Sequence, residues 1–385
     1  MLLQNLTWKL YAEKGRSSMF KVFANMNFLE GLLLDKTPRN WYNIFMSGNV
    51  SEVCVPEEID DDVIDEMGSV DIIGNLQLLG TTVKSDAEYI NDIPQNSRRV
   101  LENPNAVFLL SIESEDAGKI QNRYGVICQS IDNIDDEVLT KAYEYDLSDG
   151  QKGVDWNVYF DKSNHILPSN SLIICDRYIF SSDKINGAIT KDTMELGLSN
   201  IRGILNSILP KRHNDEYNVL IVFDSSTFNL GDEQETEFFK TIASNLKDYA
   251  DGNKKVRRYK IRFDLISIDH NCINYKMLHN RRIISNYFVV RAEYKLRAFK
   301  DNASTVSQTI FYDALFSKIV RMKPSGPDSP IKSQLQMINY IRELIQNGYC
   351  RKYASIVDKQ DDINVTKVCN TCTNRLLINN SYTIV

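Results

Sequence analysis

Histidine is scarce, with four residues in a chain of 385, and that scarcity narrows the chemistry on offer. Phosphoryl transfer through paired imidazoles needs a nucleophile and a general acid in reach of one phosphate. None of His165, His213, His270 and His279 begins a His-x-Lys triplet. Gly-rich phosphate cradles of the P-loop and dinucleotide types are absent, and no Gly-x-Ser-x-Gly elbow marks an α/β-hydrolase. No apolar stretch approaches the roughly 18 uncharged residues of a membrane span, and Lys9, Glu13 and Lys14 interrupt the start. The reading is a cytoplasmic chain with no transmembrane segment.

Cysteine is also thin. The seven thiols, at positions 54, 128, 175, 272, 350, 369 and 372, are odd in number and scattered, which suits reduced core residues better than a disulfide framework. Cys369-Asn370-Thr371-Cys372 has the spacing of half a zinc site, and no histidine follows His279. Zinc takes four ligands, so the expectation is no metal and no cofactor, against a zinc knuckle completed by another chain.

What is present is an ordinary globular composition, 43% hydrophobic and 25% charged, and a length that predicts two domains and a tail. The net charge of −6 is unevenly spread. Acids crowd residues 52 to 71, where Asp60-Asp61-Asp62 either chelates a hard cation or forms a solvated loop. Cations crowd residues 251 to 300, with Lys254, Lys255, Arg257 and Arg258 in one run and Arg281 and Arg282 further on.

The hydrophobic pattern predicts an α/β fold in two domains. Residues 1 to 150 form an α/β domain of unknown kind, with a strand-helix-strand unit between Ala106 and Cys128. The turn-forming run Ser148 to Gly153 marks the boundary. Beyond it Leu172 to Asp176 reads as a buried strand, and Met194, Leu198, Ile201, Leu205 and Ile208 follow at helical spacing. Val219 to Phe223 and the stripe Phe239, Ile242, Leu246, Tyr249 repeat the unit, with the second helix ending near Gly252. Ile261 to Ile268 and Arg282 to Val290 add strands, so a mainly parallel sheet under helices is expected over residues 155 to 322. Residues 323 to 330 hold three prolines and read as a linker. A C-terminal helix with a stripe from Ile331 to Ile345, and a tail, complete the chain to residue 385.

The segments Ile174-Cys175-Asp176-Arg177-Tyr178-Ile179 and Leu278-His279-Asn280-Arg281-Arg282-Ile283-Ile284, in this order of strands and helices, resemble the phospholipase-D-like domain found at the C-terminus of MIT-domain proteins. The resemblance covers about residues 155 to 320 and implies a mixed sheet flanked by helices. It departs from the family at Arg177, where a proline is usual, and at Asn280, where an acid is usual. Active phospholipase-D enzymes carry two His-x-Lys-x4-Asp motifs, and the one partial match here is His279-Asn280-Arg281 with Asn286 in the acid's place. The resemblance therefore implies a domain that has lost catalysis, and the company such domains keep points to nucleic-acid processing or phage defence.

Two sets of site residues follow. A residual phosphodiesterase or nuclease would use His279, His270 and Asp176, with Arg281 as phosphate clamp; otherwise His279 makes a structural hydrogen bond. Lys254, Lys255, Arg257, Arg258, Arg281 and Arg282 would bind nucleic acid or an acidic protein if the sheet brings them together, or would complement the acidic stretch. A structural subunit, forming a complex or homo-oligomer through the 331 to 347 helix, is the third reading.

Overall fold

In the computed structural model the described residues are 21–25, 50–55, 82–85, 106–110, 114–130, 141–161, 166–181, 189–226, 230–269, 277, 279–315, 317, 321–323, 326–328, 330–356, 363–367, 369, 372 and 374–378. They belong to two compact units, residues 1–136 with 379–385 and residues 137–378.

The first unit holds β1 (Lys21–Asn25), β2 (Val50–Val55), β3 (Thr82–Ser85), β4 (Ala106–Leu110), α1 (Ser114–Tyr124) and β5 (Ile127–Ser130). The strands form a parallel sheet in the order β3-β2-β1-β4-β5. The expected strand-helix-strand unit is β4-α1-β5. Ala117, Ile120 and Tyr124 supply the buried stripe of α1, and Gly125, at φ 61°, closes the helix by donating to the Gln121 carbonyl.

The second unit begins with β6 (Ala142–Leu147), α2 (Trp156–Asp161), β7 (Ser171–Cys175), α3 (Lys191–Ile208), β8 (Tyr217–Asp224), α4 (Asp232–Arg257) and β9 (Ile261–Ile268). It continues with β10 (Arg282–Ser285), β11 (Phe288–Ala292), β12 (Phe299–Lys300), β13 (Ala303–Ser304), β14 (Gln308–Ala314), β15 (Arg321–Lys323), β16 (Gly326–Asp328), α5 (Pro330–Gln346), β17 (Cys350–Ile356) and α6 (Arg375–Ile378). Eight of these strands make one mixed sheet in the order β17-β9-β8-β7-β10-β11-β14-β6. Only β7, β8 and β9 run parallel to one another, joined by α3 and α4, and the remaining pairings are antiparallel. The sheet is therefore mixed and flanked by helices, as one of the two sequence expectations had it, and the parallel arrangement expected from the strand-helix rhythm is confined to β7, β8 and β9. Every residue of β7 and β8 is buried, as in strands covered on both faces.

Four boundaries differ from the sequence reading, each for a local reason. Ser148 to Gly153 does turn, with Gly150 and Gly153 at φ 73° and 72°, but β6 before it already pairs with β14. The turn lies inside the second unit and does not separate two domains. The strand expected from Arg282 to Val290 is two, because the Asn286 side chain accepts from the amides of Asn170 and Ser171 and holds the chain in a turn. Within the proline-rich 323 to 330 stretch, Lys323 ends β15, Gly326–Asp328 is β16, which pairs with it, and Pro330 starts α5, with Met322 opposite Pro327. Gly252 does not stop α4, which runs to Arg257 and ends on Arg258 at φ 65°.

Helix α5 lies against its own unit. Leu335, Met337, Ile338, Ile341 and Leu344 are buried, and Arg282 and the backbone of Ser285 in β10 bond Ser333 and Gln334 of α5. At the other end of the unit Trp156 is packed edge-on to Tyr159 and Phe299 and donates to Asn200 of α3 at 3.0 Å. Asn200 in turn bonds both the amide and the carbonyl of Phe299, so α2, α3 and the β12-β13 hairpin share one buried polar knot. Gly197 of α3 meets the chain at 179–180 so closely that a Cβ there would stand 2.3 Å from the Ile179 carbonyl oxygen.

Candidate functional site

Parallel strands end together, and the carboxyl ends of β7, β8 and β9 bring Asp176, Asp224 and Asp269 to one edge of the sheet. Because β10 runs antiparallel to β7, with Arg282 opposite Cys175, His279 and Arg281 precede it at the same edge. In open α/β sheets this is the edge where ligands bind. The two segments singled out in the sequence are thus neighbours across the β7-β10 pairing.

The centre of the cluster is Arg177. Its Nε donates to Asp224 Oδ2 at 2.9 Å and its Nη1 lies 2.8 Å from His279 Nε2. A guanidinium has only donors, so Nε2 accepts and the ring proton sits on Nδ1. Tyr178 packs against both partners, with the Arg177 guanidinium 4.9 Å from its ring centre and the His279 ring 5.9 Å away. Asp224 also takes the amide and hydroxyl of Ser226. Asp176 is fully buried, and its carboxylate receives the amides of Tyr178 at 3.0 Å and Leu296 at 2.8 Å. Burial raises its pKa above the usual carboxylate value, and those amides oppose the rise.

Burial, then the Arg177 and Arg281 charges, push the His279 pKa below its ordinary 6.5. The sign of the stability effect follows. The unfolded chain takes up the proton first as pH falls, so the neutral ring stabilises the fold above pH 6.5. That contribution is lost as pH drops through the lower folded value. We expect the His279 ring to titrate below 6.5 by NMR, and His279→Gln to flatten the fall in stability as pH drops below that value. A midpoint at or above the ordinary value would contradict the Arg177 contact.

Beside this cluster a second network closes the edge. Glu235, in the first turn of α4 and 1% exposed, is gripped by Arg351 of β17 through Nε and Nη2 and by the Ser225 hydroxyl. Arg351 also reaches Asp269 at 3.3 Å, and its neighbour Lys352 bonds Asp232 at 2.6 Å. Arg177 with Asp224, Arg351 with Glu235 and Lys352 with Asp232 are matched charge pairs at this edge, which suits a rigid frame.

The basic residues separate into two places. Lys254, Lys255 and Arg257 occupy the last turn of α4 and Arg258 follows it, at the amino end of β9. Arg281 precedes β10 at the opposite edge, and the eight residues of β9 put about 26 Å between the two. Arg282 is buried and donates to the Ser333 carbonyl, so it presents nothing to a ligand. The single patch expected from the sequence does not form, because strands run from one edge to the other between its halves.

The end of α4 gains other cations instead. Lys211 and Arg212, after α3, and Lys260, before β9, share this end of the unit with the four of α4, against Asp215, Glu216, Asp248 and Asp251. Among the described residues Lys211, Arg212, Lys255 and Arg258 make no ion pair. A groove here is lined by Asn206, Lys211, Tyr249, Asn253, Val256 and Arg257. Arg257 is held in place by Asn253 and the Asn206 carbonyl, and Val256 projects with 80% of its surface exposed.

His270 and the Asp60 to Asp62 run lie outside the described residues. Sequence reasoning missed Asp224, Glu235 and Arg351, whose partners stand 47 and 116 positions away; Asp224, an acid ending an apolar strand like Asp176, carried the one available signal. No helix among the described residues is long and apolar enough to cross a membrane. No protein-family model matches the chain, and a search of curated proteins finds no match.

Proposed function

We propose that this chain is a non-catalytic binding protein that engages the phosphate backbone of nucleic acid through the end of α4, as an accessory component of nucleic-acid processing or phage defence. The observation that carries the reading is the set of cations without ion pairs among the described residues, Lys211, Arg212, Lys255 and Arg258, beside a groove that holds Arg257 in position. Such charges release counterions from a polyanion, so binding weakens steeply with salt. A helix C-terminus also favours cations for its own sake. That effect accounts for the last turn of α4 and leaves Lys211 and Arg212 unexplained.

The phospholipase-D-like resemblance belongs to this proposal. It is supported by the adjacency of its two segments in β7 and β10 and by the mixed sheet between helices. A phosphodiesterase at His279 is the weaker reading, since the nitrogen that would attack phosphorus accepts a hydrogen bond from Arg177. Association through the 331 to 347 helix is weaker too, because the apolar stripe of α5 is buried in its own unit.

The test is titration of labelled single-stranded and duplex DNA and RNA with the full chain over a salt series. Lys211→Glu with Lys255→Glu is expected to weaken binding about tenfold or more at low salt and to reduce the salt slope by about two. Arg281→Ala is expected to leave binding unchanged. No binding by the unaltered protein at low salt would refute the proposal, and cleavage abolished by His279→Ala would replace it with the phosphodiesterase.

A further inference from the structure

Gly252 lies inside α4, five residues before its end, and the packing of the helix gives no reason for it. A Cβ added there would meet nothing within 4 Å beyond its own helix and chain neighbours, whereas Gly197 of α3 is required by the Ile179 carbonyl. Glycine is also a poor helix former beside alanine. What the missing side chain leaves is open space, because Gly252 lines the groove between α4 and the end of α3. A glycine of this kind is what allows a ligand to approach the backbone closely.

Around that gap Tyr249, Gly252, Asn253 and Val256 fall at i, i+3, i+4 and i+7, on one face of α4. The half-buried Tyr249 is fixed at both ends, its hydroxyl donating to Asn206 Oδ1 at 2.8 Å and its ring set edge-on to Phe263 at 6.4 Å. Arg257 is fixed by Asn253 Oδ1 at 2.5 Å and by the Asn206 carbonyl at 3.3 Å. Val256 stands 80% exposed in a run of cations, between Lys255 and Arg257. Release of counterions from a phosphate backbone needs cations alone. An aromatic ring, a guanidinium plane and an aliphatic side chain around an open gap are instead what an unstacked nucleobase packs against.

We propose that this groove takes up an unpaired base of a single-stranded nucleic acid, with the flanking phosphates on Lys211, Lys255 and Arg258. The proposal rests on the nucleic-acid reading above and names the form of the polymer. Gly252 admits the base to the helix surface, and Tyr249 and Val256 supply its apolar contacts. A duplex keeps its bases stacked inside and offers none to the groove. Tyr249 and Arg257 are already held by the hydrogen bonds just given, so little side-chain freedom is lost on binding. Every base has a stacking face, so the groove discriminates paired from unpaired strands more than one sequence from another.

The experiment compares, by fluorescence anisotropy with the full chain at low salt, a labelled oligothymidine and an abasic strand with the same number of phosphates. The oligothymidine is expected to bind about tenfold tighter or more. Gly252→Gln should remove most of that difference while the melting temperature stays the same or rises, since glutamine is the better helix former. A glycine kept only for structure would not give that combination. Val256→Ser, at an exposed position, should reduce the difference severalfold. Equal binding of the two strands by the unaltered protein overturns the proposal and leaves the phosphate-backbone reading standing. Binding of neither strand refutes that reading and the proposal together. A preference for the oligothymidine that survives undiminished in Val256→Ser and in Gly252→Gln overturns the assignment to this groove, and Val256→Ser decides alone if Gly252→Gln fails to fold.

Discussion

Gly197→Ala should destabilise the protein by about 2 kcal/mol, although alanine is the better helix former by about 1 kcal/mol. The added methyl would stand 2.3 Å from the Ile179 carbonyl oxygen and 2.8 Å from Phe180 Cδ1. A phenyl ring can swing aside, but a backbone oxygen moves only with its chain. That chain is fixed on one side by β7, and Phe180 packs edge-on against Phe223 of β8 at 4.9 Å. Overpacking against a rigid partner costs about 1 to 3 kcal/mol or more, so the steric term exceeds the propensity gain. In a chain of this size the transition of the second unit should fall by about 4 to 8 °C. A melting temperature equal to or above that of the unaltered protein would mean that α3 slides away from residues 179–180 at little cost.

A loss of about 2 to 4 kcal/mol is expected for Arg351→Met, which strips the guanidinium from Glu235 and leaves a carboxylate at 1% exposure facing only the Ser225 hydroxyl among its known bonds. The figure sits below that of a wholly buried pair, because the Arg351 side chain is 32% exposed and water screens part of the attraction. The cost comes from stranding the acid, so Arg351→Met combined with Glu235→Leu should regain most of it. Urea unfolding of the single and double variants measures both steps. If the double variant is no more stable than Arg351→Met, the pair contributes through packing alone.

The two predictions bracket what could be read from the sequence. Patterns confined to one element were legible: the strands at 172–175 and 219–223, the stripe of α3, and the unit β4-α1-β5 all follow from spacing along the chain. What failed were inferences about partners. Whether a strand joins its neighbour parallel or antiparallel is decided by distant pairing, which is why the strand-helix rhythm alone pointed to a mainly parallel sheet while β10, β11, β14 and β17 make it mixed. Gly252 was taken for a stop, yet the helix passes it, since one glycine costs about 1 kcal/mol and Phe239, Ile242 and Leu246 bury the face before it. The basic residues illustrate the same limit for function. Arg258 and Arg281 are close in the sequence, but β9 lies between them and carries the chain to the other edge. Arg282 looked identical to its neighbour Arg281 and is buried, because alternation along β10 turns it toward α5.

The position of β17 also sets an order of assembly. Strand β9 is interior in the finished sheet, with β8 on one side and β17 on the other, yet β17 follows it only after β10 to β16 and α5 have been made. At a translation rate of about 5 to 20 residues per second, β9 waits several seconds on the ribosome with one apolar flank open. An open, hydrophobic edge is where nascent chains pair with one another. The charges that close it, Arg351 and Lys352, arrive with the strand itself, so sealing and neutralising Glu235 and Asp232 are a single late event.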